Sequence, residues 1–281
     1  MKRNAILFFI AFAALSLTAS AQMDTNKMDS QGRKQGKWIE NLGNGTKWEG
    51  MYVDGKKEGV WVSHHFNGIL DELMVYRNGL KNGIDINVDV NGYYKSEKTW
   101  RNDTLDGMST EYFPGGKPSS EISYKMNKLD GLRRVYYNGG GVEEDGYFKN
   151  GVRSGETKWF YQDGKINTKY TYTNGVTNGP FESFYENGNT LSKGMWKNSE
   201  YDGEYYEFYE SGKSKVMGTY HAGKKMGEWK EYNEDGTEMT VTKYVDGKAT
   251  GTPKVVKMKP VEDDKTKKDD KSTDKDKTDK K

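Results

Sequence analysis

Between residues 31 and 252 the apolar positions follow a fixed count of 24 rather than a helical period. Rings stand at Tyr76, Trp100, Tyr124, Phe148, Tyr172, Trp196, Tyr220 and Tyr244, each seventeen residues after a glycine of one regular series. Five and six residues after those glycines an aromatic pair recurs, as in Tyr112-Phe113, Tyr136-Tyr137, Phe160-Tyr161, Phe184-Tyr185 and Phe208-Tyr209. Two residues after them come Trp61, Phe181, Tyr205 and Trp229, with Trp38 equivalent in a shorter first unit. Neighbours on a strand point to opposite faces, so a pair such as Phe184-Tyr185 puts one ring on each side of a sheet. No stretch of the repeat region carries helical periodicity.

Glycine supplies the punctuation. One series runs 59, 83, 107, 131, 155, 179, 203, 227 and 251; a second falls nine residues later, from 68 to 236. A third class lies four residues before the first, with Asp103, Asn127 and Ser199 as its exceptions, types that also accept left-handed backbone. Asn67-Gly68, Asn91-Gly92, Asp163-Gly164, Asn187-Gly188 and Asp235-Gly236 read as hairpin turns of positive φ. Each unit is therefore strand, turn, strand, turn. The fold expected is all-β: an elongated, twisted, largely single-layer antiparallel sheet of about nine 24-residue β-hairpin repeats, ~20 Å wide and ~85 Å long.

The ends differ from this body. Lys2 and Arg3 precede an apolar run from Ile6 to Leu17 that is too short to span a membrane comfortably, and Ala19-Ser20-Ala21 is a cleavage pattern. Residues 1–21 are thus expected to be a signal peptide, with 22–30 a short linker and no transmembrane segment after cleavage. Beyond residue 252 no aromatic remains, and 11 Lys alternate with 8 acids, which predicts a disordered tail over 253–281.

Composition sharpens this picture. The chain has 281 residues, 33% hydrophobic and 31% charged, polar enough that a thick aliphatic core is not expected. The 20 Tyr, 10 Phe and 7 Trp must carry the packing, because cross-strand ring pairs contribute about 0.2–1 kcal/mol each. Cysteine is absent, which removes disulfides, thiol catalysis, thiolate metal sites and a lipid-modified cysteine. With the tail net positive, residues 4–252 are slightly acidic, a poor match to nucleic acid.

Units such as "NGVTNGPFESFYENGNTLSKGMW" and "DGKKEGVWVSHHFNGILDELMVY" resemble the MORN-repeat-variant units of bacteria, some of which are labelled YwqK-type antitoxins. The resemblance extends over residues 31 to about 252. It implies a hairpin ribbon that binds or scaffolds, without a shared catalytic centre; ordinary MORN repeats are associated with protein assembly and sometimes with membrane lipids. The glycine- and ring-rich hairpins are also similar to choline- and glucan-binding cell-wall modules, in which rings of successive hairpins form the ligand sites.

Candidate chemistry is sparse. His64 and His65 are adjacent, so on a strand they face opposite ways, and they occupy positions that hold rings in sister units. His221 stands alone in a turn. Carboxylates such as Glu143-Glu144-Asp145, Asp71-Glu72 and Asp202 with Glu204 are read as solvated strand surface, since paired acid chemistry needs one cleft and two environments. There is no phosphate-binding loop and no nucleophile elbow. Residues 84–90, "IDINVDV", and "FPGGKP" mark the least regular units, and Asp103-Thr104-Leu105 resembles a loose O-glycosylation pattern of some Gram-negative phyla.

The expectation is an exported, non-enzymatic protein of the bacterial envelope, periplasmic or secreted, that needs no cofactor or metal. It would engage a protein partner through exposed rings along one groove, rimmed by Lys and Glu. The less uniform set, Trp38, Trp61, Phe181, Tyr205 and Trp229, is the candidate surface, and the uniform ladder from Tyr76 to Tyr244 the packing. A cell-wall glycan and a secreted toxin are the alternative partners.

Overall fold

The computed structural model describes residues 24–42 and 46–258. The expected signal peptide, Gly45 and the tail from residue 259 lie outside the described residues. Those described form one open antiparallel sheet of 21 strands with no helix. Strands follow one another in space as in sequence. β2 (Lys34–Asn41) pairs with β3 (Lys47–Val53), which pairs with β4 (Lys56–His64), then β5 (Leu70–Arg77) and β6 (Leu80–Val88), and so on to β19 (Lys224–Tyr232), β20 (Glu238–Val245) and β21 (Lys248–Lys257). Neighbours are thus hairpin partners, with β12 (Val152–Arg153) and β13 (Gly155–Phe160) forming one interrupted arm against β11 (Val142–Lys149), the arrangement that a two-turn repeat imposes.

Both ends run further than the sequence suggests. Strand β1 (Lys27–Met28), inside the expected linker, pairs with β2, and Trp38 donates its indole N–H to the Lys27 carbonyl at 3.2 Å. At the other end β21 continues to Lys257, five residues into the expected tail, because its backbone pairs with β20 as far as Glu238↔Lys257.

Both turn sets use positive φ as expected, but they differ in width. Turns of two residues with both φ positive are the connections between units: Asp54-Gly55 at 49° and 76°, Asn102-Asp103 at 48° and 63°, Asn198-Ser199 at 51° and 65°. That backbone matches the twist of the flanking strands, which is why Asp103, Asn127 and Ser199 replace glycine there without loss of the turn. Inside a unit the Asn67-Gly68 connection is wider. Only Gly68 takes a positive φ, at 83°, and His65 bonds both to Gly68 and to Ile69.

A second irregularity repeats inside the sheet. The first-series glycines also hold positive φ, as at Gly59, 72°, and the register shifts between Glu49 and Met51 where β3 meets β4. These bulges bend each strand and steepen the local twist. One face is consequently drawn together. It carries the fully buried Trp61, Met74, Thr157 and Trp229, whereas Val60, Ile84, Met108 and Met195 stay exposed on the other.

Candidate interaction surfaces

The ring-bearing face is closed by its own side chains. Trp38, Trp61, Phe181 and Trp229, expected on an exposed groove, are core: Trp61 is 0% and Trp229 1% exposed. Tyr205 is half-buried. Burial and the Glu207 carboxylate, to which its hydroxyl donates at 2.6 Å, push that phenol well above the usual range. The physical reason is cross-strand. Trp61 lies flat over the backbone of Gly50, where a Cβ would stand 2.3 Å from the indole, and Trp229 repeats this over Gly218 at 2.3 Å. Phe181 instead sets its ring edge against Gly194 on the strand that follows it, where a Cβ would stand 2.9 Å away. A bare glycine on the neighbouring strand lets a large ring settle against main chain. This partnership was present in the sequence, since Gly50, Gly146, Gly194 and Gly218 are 24-residue equivalents outside the three glycine series.

Those rings interleave with the uniform ladder instead of standing apart from it. Trp61 meets Tyr52 at 5.1 Å and Tyr76 at 6.4 Å; Trp229 meets Tyr220 at 4.8 Å and Tyr244 at 6.2 Å. Cations two residues before the series glycines close the rings from above. Lys57 Nζ lies 4.1 Å from the Trp61 ring, Lys81 4.7 Å from Trp100, and Lys225 4.1 Å from Trp229. At the equivalent Tyr201 a ring replaces the cation and stacks on Trp196 at 4.0 Å.

Between the two aromatic ends the same face turns polar. Asp85 and Ser109 stand where Trp61 and Trp229 stand elsewhere, and both are buried. Asp85 accepts the Trp100 indole N–H at 3.0 Å, and Glu144 is held by Arg133 and by Arg153 at 2.5 Å. The irregular units therefore keep the hairpin and exchange ring packing for ion pairs.

At the N-terminal end Glu40 holds the capping cations in place. It accepts from Lys34 at 2.7 Å, Lys57 at 3.0 Å and Tyr52 at 2.8 Å. Burial pushes this carboxyl up, but the two ammonium groups and the phenol outweigh it and bring it down to about 2. A carboxyl depressed by folding contributes stability that is complete above its unfolded value near ~4.3 and is lost as pH falls toward the folded one. The N-terminal ring cluster is thus expected to loosen between about pH 4.3 and 2, read by tryptophan fluorescence. Glu40→Gln should remove that acid limb; an unchanged titration would refute the assignment.

Tyrosine hydroxyls tie each unit to the next. Tyr137, Tyr161, Tyr185 and Tyr209 donate to the carbonyls of Phe160, Phe184, Phe208 and Tyr232 at 2.6, 2.7, 2.9 and 2.7 Å. His65 occupies the same position and its Nε2 reaches the Val88 carbonyl at 2.9 Å, so the imidazole stands in for a phenol. Tyr185→Phe is expected to cost about 1 kcal/mol, the usual worth of one such bond, seen as a lowered urea midpoint with an unchanged slope. Asp71 lies between His65 and Ser63, but the serine hydroxyl donates to the carboxylate at 3.2 Å and does not reach the imidazole, which leaves no activated nucleophile. Among the described residues no cluster of His, Asp and Glu has metal-site geometry.

The opposite face carries shallow depressions that recur with the repeat. One of about 210 Å³ is lined by Asp145, Tyr147, Glu156 and Lys158. Forty-eight residues on, Lys193, Met195, Glu204 and Tyr206 line one of about 260 Å³, and a further 24 on, Met217, Thr219, Glu228 and Lys230 line one of about 210 Å³. Each combines acid, amine and an apolar group. Of the five candidates only Phe181, beside the bare Gly194, contributes to the lining of one of them; Trp38, Trp61, Tyr205 and Trp229 line none of the three.

These features define an open β-hairpin repeat protein whose ring-bearing face is closed on itself and whose other face is left uncovered among the described residues. Five consecutive units, residues 105–126, 129–150, 153–174, 177–198 and 201–222, match the model of the MORN repeat variant. The gaps between matches fall on the two-residue turns, and the same hairpin continues on both sides of the matched stretch. Repeats of the MORN type are generally protein- or membrane-interaction modules, a non-catalytic family. No curated protein matches the chain. Among the described residues no helix is long and apolar enough to cross a membrane.

Proposed function

We propose that this is an exported, non-enzymatic docking ribbon of the bacterial envelope that binds a protein partner along the face opposite its ring core. The observation that carries this reading is the recurrence of equivalent depressions at residues 145–158, 193–206 and 217–230 on a sheet whose other face is already filled. A partner segment lying across the strands would meet the same acid, amine and apolar group at each step. Tyr206, shared by two depressions and held by Glu204 at 2.8 Å, is the anchor of this surface, since rings fixed in place dominate such contacts. Export rests on Lys2, Arg3, the apolar run to Leu17 and Ala19-Ser20-Ala21.

Crosslinking in intact cells, followed by identification of what is attached, tests this directly. The expected result is an envelope protein whose attachment falls severalfold in Tyr206→Ala while the fold is kept. Retention on insoluble cell-wall polysaccharide, competed by soluble sugar and with no protein attached, supports the glycan partner and sinks this one. Stoichiometric recovery of one small secreted toxin assigns the partner as that toxin.

A further inference from the structure

The ring ladder in the second half of the sheet is also a continuous path of oxidisable side chains. Trp159, Tyr170, Trp196, Tyr201, Tyr220 and Trp229 follow one another with ring centroids 5.8, 6.4, 4.0, 5.0 and 4.8 Å apart. Indole and phenol are the side chains that lose a single electron most easily in a chain without thiols, and rings in contact pass it on directly. Tyr205, on β17 (Glu200–Phe208), branches from this path, 5.3 Å from Tyr201, 5.3 Å from Tyr220 and 6.0 Å from Trp229. Of Tyr170, Tyr201, Tyr205 and Tyr220, only Tyr205 donates its hydroxyl to a carboxylate, that of Glu207 at 2.6 Å. A phenol gives up an electron readily only if its proton leaves with it, because the oxidised phenol is a strong acid. The short bond to Glu207 supplies the place for that proton.

Charge decides where an electron vacancy settles. The Lys225 ammonium lies 4.1 Å from the Trp229 ring, and a cation over a ring opposes removal of its electron. Among the described residues no Lys or Arg stands over Tyr205. The N-terminal rings lack such an outlet. Tyr52 also donates to a carboxylate, Glu40 at 2.8 Å, but Glu40 already pairs with Lys34 and Lys57. Those two ammonium groups stand 4.7 Å from the Tyr52 ring and 4.1 Å from Trp61. Glu207 has a looser cation, Lys215 at 3.9 Å.

We propose that Tyr205 and Glu207 form a redox-active pair that collects one-electron oxidation from the tryptophans of β13 to β19 and holds it as a neutral tyrosyl radical. A radical oxidant from solvent takes one electron from Trp159 or Trp196, which are half-buried. An electron from Tyr205 refills the indole through the intervening rings, and the phenolic proton moves to Glu207. The products are the reduced oxidant, an intact tryptophan, the Tyr205 radical and a neutral Glu207 carboxyl. A one-electron reductant of the ascorbate class returns the electron, Glu207 returns the proton, and no covalent bond between residues is made. Neither residue lines a depression of the outer face, so this chemistry is separate from docking there.

Pulse radiolysis of the whole chain in azide solution tests it, because the azidyl radical oxidises indoles in preference to phenols. In the wild type the indolyl radical absorbance is expected to decay while the tyrosyl band grows, at a rate independent of protein concentration. Tyr205→Phe keeps the ring and is expected to lose most of that growth. Glu207→Gln keeps an acceptor for the hydroxyl but no base, and is expected to slow it severalfold. Tyr52→Phe is expected to behave as the wild type. Absence of conversion in the wild type overturns the proposal, and so does a full tyrosyl yield in Tyr205→Phe that keeps its far-ultraviolet circular dichroism spectrum. An unchanged rate in Glu207→Gln overturns the pair. Where a variant fails to fold, the wild type in deuterated water decides: a proton that moves with the electron makes conversion slower there, and equal rates reject the proposal.

Discussion

Replacing Trp61 by alanine is expected to cost about 3–5 kcal/mol and to melt the N-terminal hairpins ahead of the rest. The indole is fully buried without a second layer of structure above it. Its cover consists of Tyr52, Trp48 and Tyr76 at 5.1–6.4 Å and the Lys57 ammonium at 4.1 Å, all of which use the indole as their own support. Removing it leaves Lys57 without its closest ring and opens the backbone of Gly50 to water. Collapse of the site is limited, because the flanking rings are fixed by strands on either side. Stability in a hairpin array is close to a sum of neighbour terms, so loss is expected to stay local and the urea transition to divide in two. Circular dichroism and tryptophan fluorescence, followed together, should separate the halves. A single transition shifted by less than about 1 kcal/mol would show that Trp61 is not the keystone of this cluster.

The second large effect is expected from the smallest change. Gly218→Ala adds one methyl whose carbon would stand 2.3 Å from the Trp229 ring. Neither the strand backbone nor an indole bounded by Tyr220 at 4.8 Å and Lys225 at 4.1 Å has room to yield. Trp229 must leave its seat, and the expected cost is about 2–4 kcal/mol, above the usual overpacking range because burial of the whole ring is forfeited. The double variant Gly218→Ala with Trp229→Ala supplies the decisive comparison. Once the ring is gone the methyl has space, so the pair should be far less destabilising than the sum of its singles. Additive losses would instead mean that Gly218 is needed for its backbone freedom and not for its bareness.

Much of the architecture was legible because it depends on local rules applied repeatedly. A 24-residue glycine series, period-two alternation and turn residues at constant offsets specify hairpins without reference to distant contacts. Asp103, Asn127 and Ser199 were readable as glycine substitutes, and all three hold positive φ of 63–65°. His65 was readable as a ring substitute, and it makes the bond that Tyr161 and Tyr185 make elsewhere. Which turn uses two positive φ values was not readable, because Asn-Gly pairs occur at both connections and only the register of the flanking strands distinguishes them.

The candidate surface illustrates the boundary most clearly. Variability among Trp38, Trp61, Phe181, Tyr205 and Trp229 suggested freedom from packing, but their burial depends on what lies across the strand. Trp61 and Trp229 have Gly50 and Gly218 across the strand, and where Lys98 or Ile122 stands at the glycine's place Ser109 or Arg133 takes the ring position; Gly146 faces Thr157 and Phe181 pairs with Tyr170, so the match does not run through every unit. Composition varies there although the face is packed: Thr157 and Phe181 are buried like the tryptophans.

The sequence by itself determined the repeat, the strands, the turns and the division of side chains between two faces, since each is settled within one unit by backbone sterics and alternation. Only the tertiary structure decided which face closes and which stays open. That choice is made by bulges at the series glycines and by ring-on-glycine contacts between neighbouring strands. Both arise only when units are placed side by side.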